Sequence, residues 1–262
     1  GMDQSLAEEM QKTFKARGVK VLTDTKVDDV KIKDEKVNAV FSDGNAHTFD
    51  RVLVATGRKP NTANLGLESV GLSTSPKGFV KVNDRMETDA RGTYCIGDAN
   101  GRCLLAHAAS AHGQVAVQNA PGENQHFHAP SPSCVYTFPE IAAVGMTQDD
   151  ALEKGLPIGV GFFPIGHLGK AMAANEMQGF VKVIRHRETG EMLRAHMLGH
   201  HVTEVIHAAS TMMHHQVSVR DVAETVFAHP TLSEAVKEAS EDALHMAMHL
   251  PPRKMPRVTV GA

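Results

Sequence analysis

Cysteine and histidine are the residue types of this sequence that could carry redox or metal chemistry. The three cysteines, Cys95, Cys103 and Cys134, include no pair with the close spacing of a redox dithiol or a zinc knuckle. We expect them to be reduced and structural. The sequence also contains no GxGxxG dinucleotide fingerprint, no Walker loop, no GxSxG nucleophile turn and no HExxH zinc motif.

The 16 histidines raise the hypothesis of a metal site. His245 and His249 are one helical turn apart, and Glu241 lies one turn before them, which is a spacing that suits metal ligands. An apolar stripe on the other side of the same segment favours instead a solvated polar face for these three residues. The adjacent pairs His200–His201 and His214–His215 are no stronger candidates for metal ligands. We therefore predict no metal site.

The first elements that could position functional groups are a helix and a small sheet. Asp3 can cap an amphipathic helix that stops at Gly18. Alternating runs at 19–23, 27–33 and 37–41 predict an antiparallel meander. The segment 51–56 is nearly continuous in apolar residues, so it predicts a buried parallel strand whose glycine turn could border a ligand.

The rest of the chain predicts a short strand, a helix and then a separate α+β domain. The strand is predicted at 93–96 and the helix at 104–119, before a Pro- and His-rich linker at 121–132. Thr147, Ser218 and Thr231 are each followed three residues later by an acid, which predicts the starts of three helices. Further strands are predicted at 135–137, 141–144, 159–163, 180–184 and 192–198.

Composition excludes several classes of protein. The 262 residues are 42% hydrophobic, which is enough for one large or two small domains with a sizeable core. With 27 Lys and Arg against 30 Asp and Glu, no basic field is available for nucleic acid. No apolar run approaches the roughly 20 residues that cross a bilayer, and the N-terminus lacks the basic-then-apolar pattern of a signal peptide. We expect a cytoplasmic protein with no nucleic-acid or membrane partner.

Four sequence blocks carry a resemblance to a known family. They are ATGRKPN at 55–61, TYCIGD with LLAHAASAHG inside 93–113, PSCVYTFPEIAAVG at 132–145, and HPTLSEAVKEA at 229–239. In order and spacing they resemble the C-terminal half of the FAD-dependent pyridine nucleotide-disulfide oxidoreductases. The last block is most similar to the dihydrolipoyl dehydrogenases of that family. The similarity covers roughly residues 2–249.

The resemblance implies a fold of three parts, α/β and then α+β. Residues 1–57 would be the C-terminal part of an NAD-binding domain, and 58–128 a central segment of the FAD-binding domain. Residues 129–262 would be an α+β dimerisation domain with an antiparallel sheet. A homodimer through this last domain is the implied assembly.

The resemblance also implies cofactor-binding residues. Gly57 and Arg58 match a Gly-Arg pair that lies against NAD, and Asp98 matches an aspartate that accepts a hydrogen bond from the ribityl chain of FAD. The segment beneath the flavin ring is matched by Leu104, Leu105, Ala106 and His107. There, the N–H groups of a helix N-terminus would stabilise negative charge on the flavin.

The implied catalytic residues are His229 and Glu234. In the family they form a general acid–base pair that serves the redox centre of the partner subunit. From the residues alone a second role stays open for Glu234, because it stands at the third position of a capping box begun by Thr231.

The redox dithiol and the FAD GxGxxG of the family's N-terminal half do not occur in this sequence. We therefore expect a truncated form that binds neither FAD nor NAD tightly and is inactive alone. Partners could be the missing half or subunits of a 2-oxoacid dehydrogenase complex. Two alternatives stay open: a non-enzymatic dimerisation or scaffold module, and an independent metal-binding protein.

Overall fold

The computed structural model describes residues 2–128 and 130–251, and these ranges form an α/β fold with two antiparallel sheets. This confirms the predicted fold class. The helices are α1 (Gln4–Ala16), α2 (Ala106–Asn119), α3 (Gln148–Glu153), α4 (Gly169–Ala174), α5 (Val202–His214), α6 (Val219–Glu224) and α7 (Glu234–Ala243). The strands are β1 (Val27–Lys33), β2 (Lys36–Phe41), β3 (Ala46–Phe49), β4 (Ser133–Val135), β5 (Glu140–Gly145), β6 (Ile158–Pro164), β7 (Phe180–His186) and β8 (Met192–Gly199).

The larger sheet has the strand order β4-β5-β8-β7-β6, and every neighbouring pair is antiparallel. All five strands lie where the sequence predicts them, with ends that differ by a few residues. Successive side chains point to opposite faces, so Val181 and Met197 face one side while Phe180 and Leu198 face the other. The sheet is therefore buried on both faces.

Helices cover both faces of this sheet. On one face α5 and α7 pack over the main apolar core, which includes Val181 and Met197. On the other face Leu6 and Met10 of α1 pack against Phe180 and Leu198. The amphipathic pattern of α1 thus matches its buried side, and Asp3 caps it by accepting a hydrogen bond from the Ser5 N–H as predicted.

Gly161 allows α7 to lie directly on β6. A Cβ at this position would lie 1.8 Å from the Ala239 carbonyl oxygen and 2.5 Å from the Ala243 nitrogen. Only a residue without a side chain permits this close approach of helix and strand backbones. Since α7 begins at Glu234, this contact helps to set the position of that carboxylate.

The small sheet differs from the predicted meander in one strand. Its order is β1-β2-β3, so β3 is the third strand and residues 19–23 form no strand. Residues 19–23 are mostly exposed, and their alternating pattern has no partner strand to satisfy. Hydrogen bonding to β2 across the Asp43–Gly44 turn selects β3 instead.

The prediction of a buried parallel strand at 51–56 is wrong. The segment has no strand structure, and Leu53 and Val54 are 89% and 77% exposed. A strand of a parallel sheet needs neighbouring strands for its hydrogen bonds, and the described residues place none beside it.

The predicted strand at 93–96 is also wrong, because only an isolated bridge between Tyr94 and Glu87 forms there. The helix predicted after it is confirmed, and it begins at Ala106 with Leu105 as its N-cap residue. In the C-terminal part, complete capping boxes begin α3 at Thr147 and α6 at Ser218, as predicted.

The last helix departs from its predicted polar face. It ends at Ala243, so His245 and His249 do not continue along it, and Glu241 is buried rather than solvated. Burial, then the neighbouring Glu238 carboxylate, raises the pKa of Glu241. No helix in the described ranges is long and apolar enough to cross a membrane.

Candidate functional site

His229 and Glu234 lie together at the start of α7. The His229 Nδ1 atom is 2.9 Å from the Glu234 Oε1 atom, so the imidazole donates a hydrogen bond to the carboxylate. The imidazole is 73% exposed, whereas the carboxylate side chain is only 19% exposed. The Nε2 edge of the ring is therefore open to an incoming group, while the opposite edge is fixed.

Both proposed roles of Glu234 are compatible, because each uses a different oxygen. Oε1 accepts from His229, and Oε2 accepts from the Thr231 N–H at 2.8 Å. The complete capping box does not form: the Thr231 hydroxyl donates to the Ala228 carbonyl, and the helix starts at Glu234 itself. Of the two hydrogen bonds of the predicted capping box, the one from the Thr231 N–H to the Glu234 carboxylate forms, and the one to the Thr231 hydroxyl does not.

The charge on Glu234 is stabilised by these two donors. Burial raises the pKa of this carboxyl, but the hydrogen bonds from the Thr231 N–H and from His229 outweigh burial, so the pKa lies below its ordinary value. A carboxylate that stays ionised at neutral pH can orient the ring and support its protonated form. This arrangement suits general acid–base chemistry at the exposed Nε2 atom.

Arg58 and Asp98 come together on another part of the chain. Asp98 lies in a short 3₁₀ turn after Gly97, and its Oδ2 atom is 3.4 Å from the Arg58 Nη1 atom. Both side chains are substantially exposed. Gly97 has φ of +64°, and a Cβ there would lie 3.1 Å from the Ala109 Cβ. The turn therefore packs closely against α2.

The N-terminus of α2 has no side-chain cap. Its N-cap residue Leu105 provides no side-chain hydrogen bond, so the first N–H groups of the helix have no capping side chain. His107 donates from Nε2 to the Pro132 carbonyl at 2.8 Å, which ties the first turn to the linker. This uncapped end, beside the Asp98 turn, fits the flavin contacts that the resemblance implies for Leu104, Leu105, Ala106 and His107.

His112 is a positioning residue that the sequence did not single out. It is fully buried in α2, and its Nδ1 atom accepts a hydrogen bond from the Gly97 N–H at 3.2 Å. This bond holds the Asp98 turn on the helix. The only sequence signal was a histidine on the inner face of a helix rich in alanine.

Gly57 lies in the exposed segment after residue 56, with φ of +123° and no atom within 4 Å of a Cβ built there. The space on the Cβ side of the residue expected to lie against NAD is therefore open. The sequence contains no GxGxxG, the glycine-rich turn on which many nucleotide-binding folds hold dinucleotide phosphates.

Comparisons with known proteins match this architecture. A family model described as "Pyridine nucleotide-disulphide oxidoreductase" matches residues 1–113, and the model of the family's dimerisation domain matches residues 131–240. Together the two models cover most of the chain. The chain belongs to the pyridine nucleotide-disulphide oxidoreductase family.

Similar members of this family include dihydrolipoyl dehydrogenases. The chain is 37% identical to that of Thermus scotoductus over 253 residues, which cover 95% of this chain and 55% of the relative. It is 36% identical to that of Bacillus subtilis, covering 94% of this chain and 53% of the relative. The chain thus spans about half the length of these curated relatives.

Solved structures of the family share the fold. The crystal structure of LpdA from Mycobacterium tuberculosis matches with a TM-score of 0.86 and 27% identity, covering 92% of this chain and 53% of that one. The flavoprotein disulfide reductase RclA from Escherichia coli matches with a TM-score of 0.84 at 24% identity, which concerns the fold alone. The divisions at 57/58 and 128/129 stay predictions.

Proposed function

We propose that this chain is the C-terminal portion of a dihydrolipoyl dehydrogenase, which converts dihydrolipoamide and NAD⁺ to lipoamide, NADH and H⁺. The observation that carries the proposal is the hydrogen-bonded pair of His229 and Glu234, with an exposed imidazole and a mostly buried carboxylate. The similarity to dihydrolipoyl dehydrogenases over nearly the whole chain supports it.

His229 is the proposed acid–base residue. A thiol attacks a disulfide only as the thiolate, so a base must first remove its proton. The exposed Nε2 atom of His229 would take that proton, and the Glu234 carboxylate would stabilise the imidazolium that results. On completion of the exchange the same ring would return the proton.

The proposed cofactors are FAD and NAD, as in the family. FAD, when bound, would accept two electrons from a dithiol and pass them to NAD⁺. Asp98 and the free N–H groups at the start of α2 would hold the flavin, and Gly57 and Arg58 would lie on the side of NAD. The 262-residue chain alone would bind both weakly and turn over little, because the dithiol and both phosphate cradles are supplied by other residues.

The proposed assembly is a homodimer through the region that matches the dimerisation domain. The family arrangement places the acid–base pair of one subunit at the redox centre of the other. An exposed imidazole suits that use, because its free edge must reach a group that this chain does not carry. Subunits of a 2-oxoacid dehydrogenase complex are further proposed partners.

A chimera tests the proposal. The N-terminal half of the B. subtilis relative would be fused to this chain, and NADH formation from dihydrolipoamide would be followed by absorbance. We expect the chimera to bind FAD and turn over, and His229→Gln and Glu234→Gln to lower kcat by about 10²–10⁴-fold with FAD retained. His215→Gln, at an exposed position, is the matched control and should leave kcat unchanged.

Three results would contradict the proposal. A chimera that binds FAD and dimerises without any dihydrolipoamide-dependent turnover would favour a scaffold module instead. Equal kcat in the His229→Gln and unmodified chimeras would remove the acid–base role. Ordinary turnover by the 262-residue chain alone would contradict its proposed dependence on other residues.

A further inference from the structure

A second histidine cluster, away from the acid–base pair, brings three potential metal ligands together. His126 and His128 lie in the linker after α2, and Asp84 lies in a turn 42 residues before His126. The Asp84 Oδ2 atom is 3.0 Å from His126 Nδ1 and 3.9 Å from His128 Nε2. Among the residues that the structure describes, this is the one set of three or more histidine, cysteine or acidic side chains whose ligand atoms all lie within 4.8 Å of one another.

The backbone around these residues is fixed by buried contacts. The Phe127 N–H donates to the Asp84 carbonyl at 2.8 Å, and the Phe127 ring packs edge-on against the buried His112. Phe127 is partly buried, whereas His126 and His128 on either side of it are exposed. Their rings are stacked, with centroids 5.5 Å apart and planes 8° apart.

Asn119 of α2 forms hydrogen bonds to both the turn that carries Asp84 and the linker that carries the two histidines. Its buried side chain donates to the Arg85 carbonyl at 3.1 Å and to the Gln125 carbonyl at 2.8 Å, and it accepts from the Gln125 N–H. The turn that carries Asp84 and the linker that carries the histidines are therefore held at one separation. The ligand atoms converge without any need for folding around an ion.

The hydrogen bonds of His126 leave its Nδ1 atom and the Asp84 carboxylate facing each other, and two acceptors so placed need a positive charge or a proton between them. The His126 Nε2 atom is 3.2 Å from the Asn124 Oδ1 atom, which also accepts from Arg85, so Nε2 must be the donor. In a neutral ring the Nδ1 lone pair then faces the Asp84 carboxylate with no proton between them. Either an imidazolium or a cation shared by both groups satisfies this geometry.

We propose that Asp84, His126 and His128 form a binding site for a borderline divalent transition-metal ion such as Zn²⁺. Two imidazoles and one carboxylate match the ligand preference of such ions, and water would complete the coordination. In a tetrahedral site with bonds of about 2.0–2.1 Å the ligand atoms are roughly 3.4 Å apart. The observed 3.0 and 3.9 Å bracket this value, and the exposed His128 ring can adjust.

The surrounding charges are compatible with a cation. Arg85 is the nearest basic side chain in sequence, and its guanidinium is paired with Glu87 at 3.3 Å and held by the Glu123 carbonyl. Asn124 would be the outer partner that keeps the His126 ring in place, as carbonyl groups do for many metal-bound histidines.

Zn²⁺ titration of the full, tag-free chain by calorimetry tests the site. We expect one ion per chain, with affinity at least tenfold lower in Asp84→Asn and in the double variant His126→Ala/His128→Ala. Asn124→Ala should keep the stoichiometry and weaken binding by about tenfold, because it loosens the ring without removing a ligand. These residues lie at the surface, so circular dichroism should show an unchanged fold.

The double variant His214→Ala/His215→Ala is the matched control, since that pair is also adjacent and exposed but has no carboxylate in ligand range. It should bind Zn²⁺ as the unmodified chain does. No saturable binding in the micromolar range would overturn the proposal and leave an imidazolium–carboxylate pair. Equal affinity in the unmodified chain and the His126→Ala/His128→Ala variant would also overturn it.

Discussion

At the scale of single residues, burial and hydrogen bonding decide what each histidine can do. His229 is exposed and oriented by Glu234, so its ring is available for proton transfer. His196 on β8 is only 2% exposed, and burial is the main cause that lowers its pKa to about 4. The same side chain is therefore accessible to solvent at one position and a neutral core residue at the other.

Because His196 is buried in its neutral form, we expect the folded chain to lose stability in mild acid. An unfolded histidine has a pKa of about 6.5. Between that pH and about 4, His196 is protonated in the unfolded chain but remains neutral in the folded chain. The free energy of unfolding should fall as pH drops from about 6.5 to 4, by about 3 kcal/mol from this group. Urea unfolding of the chain and of His196→Leu between pH 7 and 4 measures it, and the variant should lose this part of the pH dependence.

His215→Leu is the matched control, because this histidine is exposed. It should retain the acid dependence of the unmodified chain. An unchanged dependence in His196→Leu would contradict the prediction.

At the scale of elements, the large sheet holds the acid–base pair through backbone contact. Gly161 brings β6 against α7, and Arg185 of β7 donates to the Ala243 carbonyl at 3.1 Å near the end of the helix. The first residue of α7 is Glu234. The orientation of this carboxylate thus depends on packing along the whole helix.

Gly161→Ala is expected to destabilise the chain strongly. Its Cβ would meet backbone atoms of α7, which cannot move without displacing the helix, so we expect a loss of about 3 kcal/mol or more. Gly159→Ala on the same strand is the control. Its Cβ would meet side-chain atoms of Arg185 at 3.0 Å rather than backbone. This side chain can shift at the cost of part of its hydrogen bonding to Ala243, so we expect a smaller loss of about 1 kcal/mol. Thermal and urea unfolding compare the two, and equal losses would contradict the argument.

The attachment of α1 to the sheet depends on a buried ion pair. Lys182 Nζ on β7 is 2.9 Å from Asp3 Oδ1, and both side chains are nearly inaccessible. Burial raises the pKa of Asp3, but hydrogen bonds from Ser5 and Lys182 outweigh burial and lower it to about 2. Because this pKa is below that of the unfolded residue, the stabilisation is present above about pH 4 and is lost as pH falls towards 2.

Asp3→Asn should therefore cost about 3 kcal/mol at pH 7, since it leaves the Lys182 charge buried without a partner. The double variant Asp3→Asn/Lys182→Met should recover much of that loss, because it removes both charges. The difference between Asp3→Asn and the unmodified chain should shrink as pH approaches 2. Urea unfolding at pH 7 and at acid pH measures these effects. An equal loss of unfolding free energy in the single and double variants would contradict the prediction.

At the scale of the whole molecule, large apolar side chains remain exposed both in the segment 51–56 and in the region matched by the dimerisation domain. Leu53 and Val54 are exposed in the segment that forms no strand, and Tyr136 and Val226 are 81% and 92% exposed in the region matched by the dimerisation domain. A large apolar side chain this exposed gains free energy when another polypeptide buries it. The second pair supports the proposed homodimer.

Sedimentation equilibrium should show a species of twice the chain mass of 28.2 kDa. Val226→Asp should weaken this dimer by tenfold or more, because a carboxylate in an apolar interface is costly to desolvate. Ile32→Asp is the matched control. Ile32 is 80% exposed on β1, outside the dimerisation match, so its replacement should leave the dimer unchanged. A monomer at micromolar concentration, or equal dimers in both variants, would contradict the prediction.

The sequence by itself determined the features that depend on neighbouring residues. Thr147 and Ser218 begin helices because each hydroxyl and the acid three residues later bond to one another's backbone N–H. The alternating runs of the large sheet and the four family blocks are likewise local patterns. They were sufficient for the fold class and the family.

Only the tertiary structure decided the features that depend on distant residues. Residues 51–56 form no strand because strands need neighbours. Almost every residue of α7 is buried, Glu241 included, because α7 packs against β6, β7 and α6, which its own periodicity does not record. Asp84 meets His126 across 42 residues, through backbone and Asn119 contacts that no local pattern encodes. Periodicity records which side of an element is apolar, whereas burial and convergence depend on what packs against that side.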